Sequence, residues 1–254
     1  MSRFKTLICV ILTLCLVASM LTVNASSENQ TDKKEPEIIK YDNFVTEQDI
    51  EKYRDKTMQQ IEEGFKTINT IKANRSQGIS IGLRYIEDNL SVPLLRQDSG
   101  SWKNNLIPGS SYTFSQAGCG MTSYAMVFNY YGYNETPETV ATEYYNEYGN
   151  PINFTSSRIV SLYNCSIEAV GSVSSASALQ AAIVGGINNG YPTVLKMIKG
   201  SNTHFIVARG YSQATGSDPI IINIRDPESD INYSRLNSYY ENGWQATHFV
   251  TVGS

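Results

Sequence analysis

The chain has 254 residues, 41% hydrophobic and 17% charged, with 20 Lys+Arg against 24 Asp+Glu, a net charge of −4 and only 2 His. It is too apolar to be disordered and long enough for one substantial core. The mildly acidic balance, with no basic block longer than Lys33-Lys34, gives no footprint for nucleic acid. Two histidines without HExxH or paired CxxC spacing lead us to expect no metal and no cofactor.

In chain order, Arg3 and Lys5 precede an apolar run from Thr6 to Val23, and Val23-Asn24-Ala25 closes it with small residues at minus three and minus one. This pattern reads as a secretory signal peptide over 1–25, cut after Ala25. An uncleaved anchor is the alternative, because the run is just long enough to span hydrocarbon. Leu14 ahead of Cys15 argues against a lipoprotein. Cleavage removes Arg3 and Lys5 and leaves 18 basic against 24 acidic side chains, a net −6. The expected product is secreted, free of the membrane, and holds two thiols, Cys119 and Cys165, which is no disulfide framework.

Residues 26–37 are polar and read as a solvated leader. Thr46 is a helix N-cap, followed by Glu47 and Asp49 in the first turn. Ile50, Tyr53, Met58, Ile61, Phe65, Ile68 and Ile71 then form one apolar stripe, which predicts a long helix over 46–72. At 1.5 Å per residue this rod is about 40 Å long. The basic stretch Lys72-Ala73-Asn74-Arg75 reads as loop. Residues 26–88 hold neither Cys nor His, so they are expected to be a pro-segment that inhibits or a brace that stabilises.

Composition changes near Asn89, and 89–254 reads as the functional domain. It starts with an extended segment at 91–97. A helix over 119–131 ends at Gly132, another begins at Thr136-Pro137, and a third carries the capping box Ser177/Gln180 with Leu179, Ile183 and Ile187 on one face. Strands follow at 193–198, 204–210, 220–225 and 247–252. Helices first and an antiparallel sheet afterwards define an α+β domain.

The sharpest local signal is Cys119 between Gly118 and Gly120 where a helix begins. The glycines suit close approach by a substrate backbone, and the helix N-terminus favours thiolate. A thiol nucleophile needs a base and an orienting group. His204 opens one strand and Asp226 ends the next; a hairpin hinged at Ala214-Thr215-Gly216 sets them opposite one another, Cβ atoms about 5 Å apart. His248, in a similar Thr-His-Phe context, has no acid after it and reads as a terminal-strand histidine. Two amides are candidates for an oxyanion donor alongside the Cys119 N–H: Gln97, in an extended segment able to return to the cleft, and Gln116, three residues before the thiol. Gln97 is preferred on that geometry. Cys165 reads as an inert strand thiol.

These residues carry a resemblance. VPLLRQDSGSW (92–102), AGCGMTSYAMVFNYYG (117–132), TPETVA (136–141), GYPTVLKM (190–197), THFIVARGY (203–211) and INIRDP (222–227) together look like the papain-like cysteine peptidases of family thirty-nine, the bacteriocin-processing-like group. The resemblance covers about 91–230. It implies a papain-like fold, with Cys119 as nucleophile, His204 as base, Asp226 as its orienter and Gln97 as oxyanion donor, acting on a peptide or protein. Unlike the best-known members, this chain shows no transporter segment, and Gln97 stands twenty-two residues before the thiol instead of about six. Two rival readings use the same scaffold: an amidase or acyl transferase acting on cell-wall peptides, and a binding module that keeps the fold without catalysis.

Overall fold

The computed structural model describes residues 41–76, 86–213, 220–230 and 233–254. The signal segment, the polar leader and the hairpin turn at 214–216 lie outside the described residues. Among the described residues no helix is long and apolar enough to cross a membrane.

Helix α1 (Glu47–Lys52) starts as the sequence requires: Thr46 Oγ1 accepts the Asp49 N–H at 3.1 Å, and Asp49 Oδ2 accepts the Thr46 N–H at 3.2 Å. The long rod is interrupted. Tyr53, at φ −107° and ψ 11°, separates α1 from α2 (Arg54–Ser76), so the basic stretch at 72–75 is helical and not loop. The kink has a packing cause, because Ile50 and Tyr53 lie against one hydrophobic core whereas Ile61, Phe65, Ile68 and Ile71 lie against another. Met58, counted in the stripe, is 52% exposed.

The other elements are β1 (Ile86–Asn89), α3 (Phe114–Ala117), α4 (Cys119–Tyr130), α5 (Pro137–Tyr148), a 3-10 turn (Pro151–Asn153), α6 (Ser156–Ser161), β2 (Ser166–Ser172), α7 (Ala176–Asn188), β3 (Thr193–Lys199), β4 (Asn202–Gln213), β5 (Ile221–Arg225), α8 (Leu236–Glu241) and β6 (Gln245–Gly253). The strands form one antiparallel sheet in the order β1-β4-β3-β6-β2, with β5 also paired to β4. Alternation along each strand fills both faces. Val194, Phe205, Val207 and Val250 join Phe114, Tyr124, Phe128 and Phe154 in one core, while Leu195, Ile206 and Phe249 join Leu179 and Ile183 in the other. The fold is α+β and consistent with a papain-like architecture.

Helix α7 is capped two residues earlier than the sequence suggests. Ser175 Oγ, not Ser177, accepts the Ala178 N–H at 3.1 Å, and Gln180 spends its amide on the Ile220 carbonyl at 2.8 Å. Helix α2 lies across α7 at very close range. A Cβ at Gly64 would sit 1.8 Å from the Ala181 carbonyl oxygen, and one at Gly185 would sit 2.1 Å from the Gln60 carbonyl oxygen. Only glycine allows the two backbones to meet there. The contact is sealed by Gln60, whose Nε2 donates to Ala182 O at 2.7 Å and Thr251 Oγ1 at 3.0 Å.

Ahead of α1, Tyr41, Phe44 and Val45 are buried in the same core as α4. Ser156 fastens this segment by donating both its N–H (3.0 Å) and its hydroxyl (2.6 Å) to the Phe44 carbonyl.

Candidate active site

Cys119 is the first residue of α4, so its N–H has no acceptor within the helix and the positive end of the helix faces the sulfur. The turn before it is compact: Gly118 donates to Phe114 O at 2.7 Å, and Thr122 Oγ1 donates back to Gly118 O at 2.8 Å. Both flanking glycines are needed by the protein's own packing. A Cβ at Gly118 would lie 2.5 Å from Phe114 O, and one at Gly120 would lie 2.5 Å from the Phe154 ring.

His204, on β4, is 3% exposed and Asp226, just past β5, is also 3% exposed. His204 Nε2 and Asp226 Oδ1 are 2.9 Å apart. The two meet, although not through the expected register. β4 and β5 pair Val207 with Arg225, after a bulge between Ala208 and Gly210. Continued by count, that pairing brings Glu228 level with His204, leaving Asp226 on the diagonal, where both side chains still share a face. Consistently, Glu228 Oε2 lies 3.8 Å from His204 Nδ1.

With Nε2 held by Asp226, Nδ1 is the ring nitrogen left over for Cys119, whose side chain interacts with the imidazole. Burial pulls the His204 pKa down, but the hydrogen bonds and charges of Asp226 and Cys119 outweigh it and push the value up to about 10. The ring is therefore disposed to carry a proton.

Asp226 is thoroughly satisfied. Its Oδ1 also accepts the Glu228 N–H at 2.8 Å, and its Oδ2 accepts the Tyr239 hydroxyl. Burial, then the Asp226 charge, holds the Tyr239 hydroxyl far above its ordinary pKa, so it remains a donor. The Tyr239 ring stacks near His204 at 6.1 Å and Trp244 tilts against it at 5.9 Å. The half-buried Glu228 carboxyl is raised, by burial first and by Asp226 and other acids after the opposing pull of His204.

Gln97 is 3% exposed and is clamped between the two halves of this cluster. Its N–H donates to the Pro227 carbonyl at 2.7 Å and its Nε2 donates to the Ser115 carbonyl, in the turn before Cys119, at 3.1 Å. The neighbouring Arg96 donates from Nη1 to the carbonyls of Asp226 (3.2 Å) and Glu228 (2.5 Å). Gln116, by contrast, is exposed and occupied as a cap, its Oε1 accepting the Thr113 N–H at 2.9 Å.

His248 is apart from this group. On β6 it pairs with Lys196 of β3, which pairs in turn with Phe205, whereas His204 pairs with Met197, so the two histidines project from opposite faces of the sheet. Burial and the Lys196 charge lower its pKa. Cys165 precedes β2 and is only partly buried, and burial pushes its thiol up to about 11.

Tyr239, Trp244, Arg96 and Glu228 were not singled out in the sequence. Tyr239, Trp244 and Glu228 carry no periodic or motif signal and become neighbours of His204 only through tertiary packing, while Arg96 meets the cluster through the Asp226 and Glu228 carbonyls. No group of three or more metal-ligating side chains occurs among the described residues.

A cysteine at a helix start beside a carboxylate-held imidazole, on an α+β scaffold, is the arrangement of the papain-like class. Residues 89–252 match the model of the Peptidase_C39 like family, and the chain belongs to that family. Membership points to cysteine peptidase activity. No curated protein and no solved structure matches the chain.

Proposed function

We propose that the protein is a secreted cysteine peptidase that hydrolyses peptide bonds through a thioester on Cys119. The observation that carries this reading is the buried His204, held by Asp226 at 2.9 Å from its Nε2 and interacting with the Cys119 side chain. The thiol passes its proton to Nδ1, and the sulfur attacks the scissile carbonyl carbon. The Cys119 N–H and the Gln97 amide, released from Ser115, hold the resulting oxyanion. Nδ1 then protonates the leaving amine as the intermediate collapses to a thioester. Water, deprotonated by the same nitrogen, attacks the thioester and releases the acid and the free thiol.

The test is incubation of the purified protein with a diverse peptide mixture, reading new termini by mass spectrometry, with Cys119→Ala as control. New termini that depend on Cys119 support the reading. A parallel measurement compares iodoacetamide labelling of Cys119 and Cys165 at neutral pH. Equal labelling together with no Cys119-dependent cleavage would sink the peptidase reading and leave a binding module.

A further inference from the structure

The family match begins at residue 89, yet one side chain from well before it reaches the nucleophile. Tyr41 is 4% exposed, and its hydroxyl donates to the Ala117 carbonyl at 2.8 Å, across 76 positions of sequence and two residues ahead of Cys119. Three further contacts fix the residue. Its ring stands edge-on to Phe205, the neighbour of His204, at 4.9 Å and to Phe154 at 5.9 Å. Its own carbonyl accepts from the buried Lys196 ammonium at 2.6 Å. The adjoining Phe44 carbonyl is bound twice by Ser156. A phenol held at both ends in this way is placed by the fold; it is not a loose tail resting on the surface.

The same hydroxyl shares its core with Cys119 and lies close enough to interact with it. It has one proton and two places to send it. While Cys119 is a neutral thiol, the proton goes to Ala117 O and the phenolic oxygen can only accept from sulfur. Once the thiol has lost its proton, a donor beside the thiolate is worth more than one beside a neutral carbonyl, since hydrogen bonds to ionised acceptors are about twice as strong. Burial, and then the nearby sulfur charge, holds the Tyr41 hydroxyl well above its ordinary pKa, so it stays protonated throughout.

We propose that Tyr41 is a positioning residue for the catalytic thiol: its hydroxyl, tied to Ala117 O at rest, turns its proton toward Cys119 when the sulfur ionises and so stabilises the thiolate. No proton is transferred in this step, because the thiol proton goes to His204 and the phenol only redirects its own. The segment ahead of the family-matched region is then part of the catalytic centre and not merely a brace. The inference rests on Cys119 being the reactive thiol of the preceding reading.

Tyr41→Phe removes the hydroxyl and keeps the ring against Phe205 and Phe154. The experiment is the pH profile of Cys119 alkylation by iodoacetamide in the whole protein, with melting temperature and peptide hydrolysis measured alongside. The expected result is a profile displaced to higher pH, with labelling at its acidic end slowed about three- to tenfold, the worth of one such hydrogen bond, and nearly equal rates at its alkaline end. A superimposable profile overturns the proposal. So does a loss of rate that is uniform across pH, or a variant that fails to fold, since either makes the hydroxyl a structural tie. The two readings fail separately: a displaced profile in a protein that cuts no peptide retains Tyr41 and rejects the peptidase, whereas cleavage with an unmoved profile does the reverse.

Discussion

Replacing Asp226 with Asn isolates what its charge contributes, because the hydrogen-bonding shape survives. The new Oδ1 can still accept from His204 Nε2, now 2.9 Å away, and from the Glu228 N–H at 2.8 Å. The new Nδ2 faces the Tyr239 hydroxyl, which only has to rotate to accept. The Arg96 bond to the Asp226 carbonyl is untouched. What disappears is a negative charge next to a buried imidazole. An opposite charge at this range moves a pKa by about one to three units, and each unit is about 1.4 kcal/mol. The affinity of the imidazole for its proton should therefore fall about ten- to a thousandfold, which moves the alkaline limit of turnover down by about one to three pH units and lowers turnover above neutral pH by up to the same factor.

The same reasoning gives a stability signature. His204 has its folded pKa raised to about 10 from its ordinary value of 6.5, so its contribution is fully present below pH 6.5 and is lost as pH rises through 10. The wild-type melting temperature should drop over that window, and the Asp226→Asn protein should drop less. Turnover and alkylation across pH, with thermal denaturation between pH 6 and 10, measure both effects. Unchanged turnover with superimposable profiles would refute the argument and make Asp226 a structural edge residue.

Three other expectations follow from particular contacts. His248→Ala should leave turnover within about twofold and lower stability by about 1 kcal/mol, while His204→Ala abolishes turnover; the opposite pattern would reverse the assignment of the base. Gln97→Ala should lower turnover about a hundredfold or more, whereas Gln116→Ala should cost only the helix cap, about 1 kcal/mol by urea denaturation. Gly64→Ala should cost about 3 kcal/mol or force α2 off α7, while Gly132→Ala, with φ +94° and nothing within 4 Å, should cost about 1 kcal/mol; equal losses in urea would contradict the close-contact account.

The sequence by itself determined the local events. Thr46 capped α1 because a short hydroxyl satisfies an orphan N–H wherever the chain enters a helix, and Thr136-Pro137 began α5 for a similar reason. The strands β3, β4 and β6 were legible as short apolar runs bounded by turn residues, which need no knowledge of partners. Cys119 stood out as a thiol at a helix start, and the hairpin between their strands already brought His204 and Asp226 together.

The tertiary structure decided whatever depends on which surfaces meet. The bulge between Ala208 and Gly210 shifted the β4–β5 register and set Glu228 beside His204, and no local propensity marks a bulge of this kind. The break at Tyr53 arose because α1 and α2 serve cores on opposite faces of the sheet. Gly118 and Gly120 answered to Phe114 and Phe154, partners invisible until the chain closes on itself. Tyr41 reached the Ala117 carbonyl, two residues before Cys119, across 76 positions, by a contact that depends on packing between distant segments and leaves no periodic trace in the sequence.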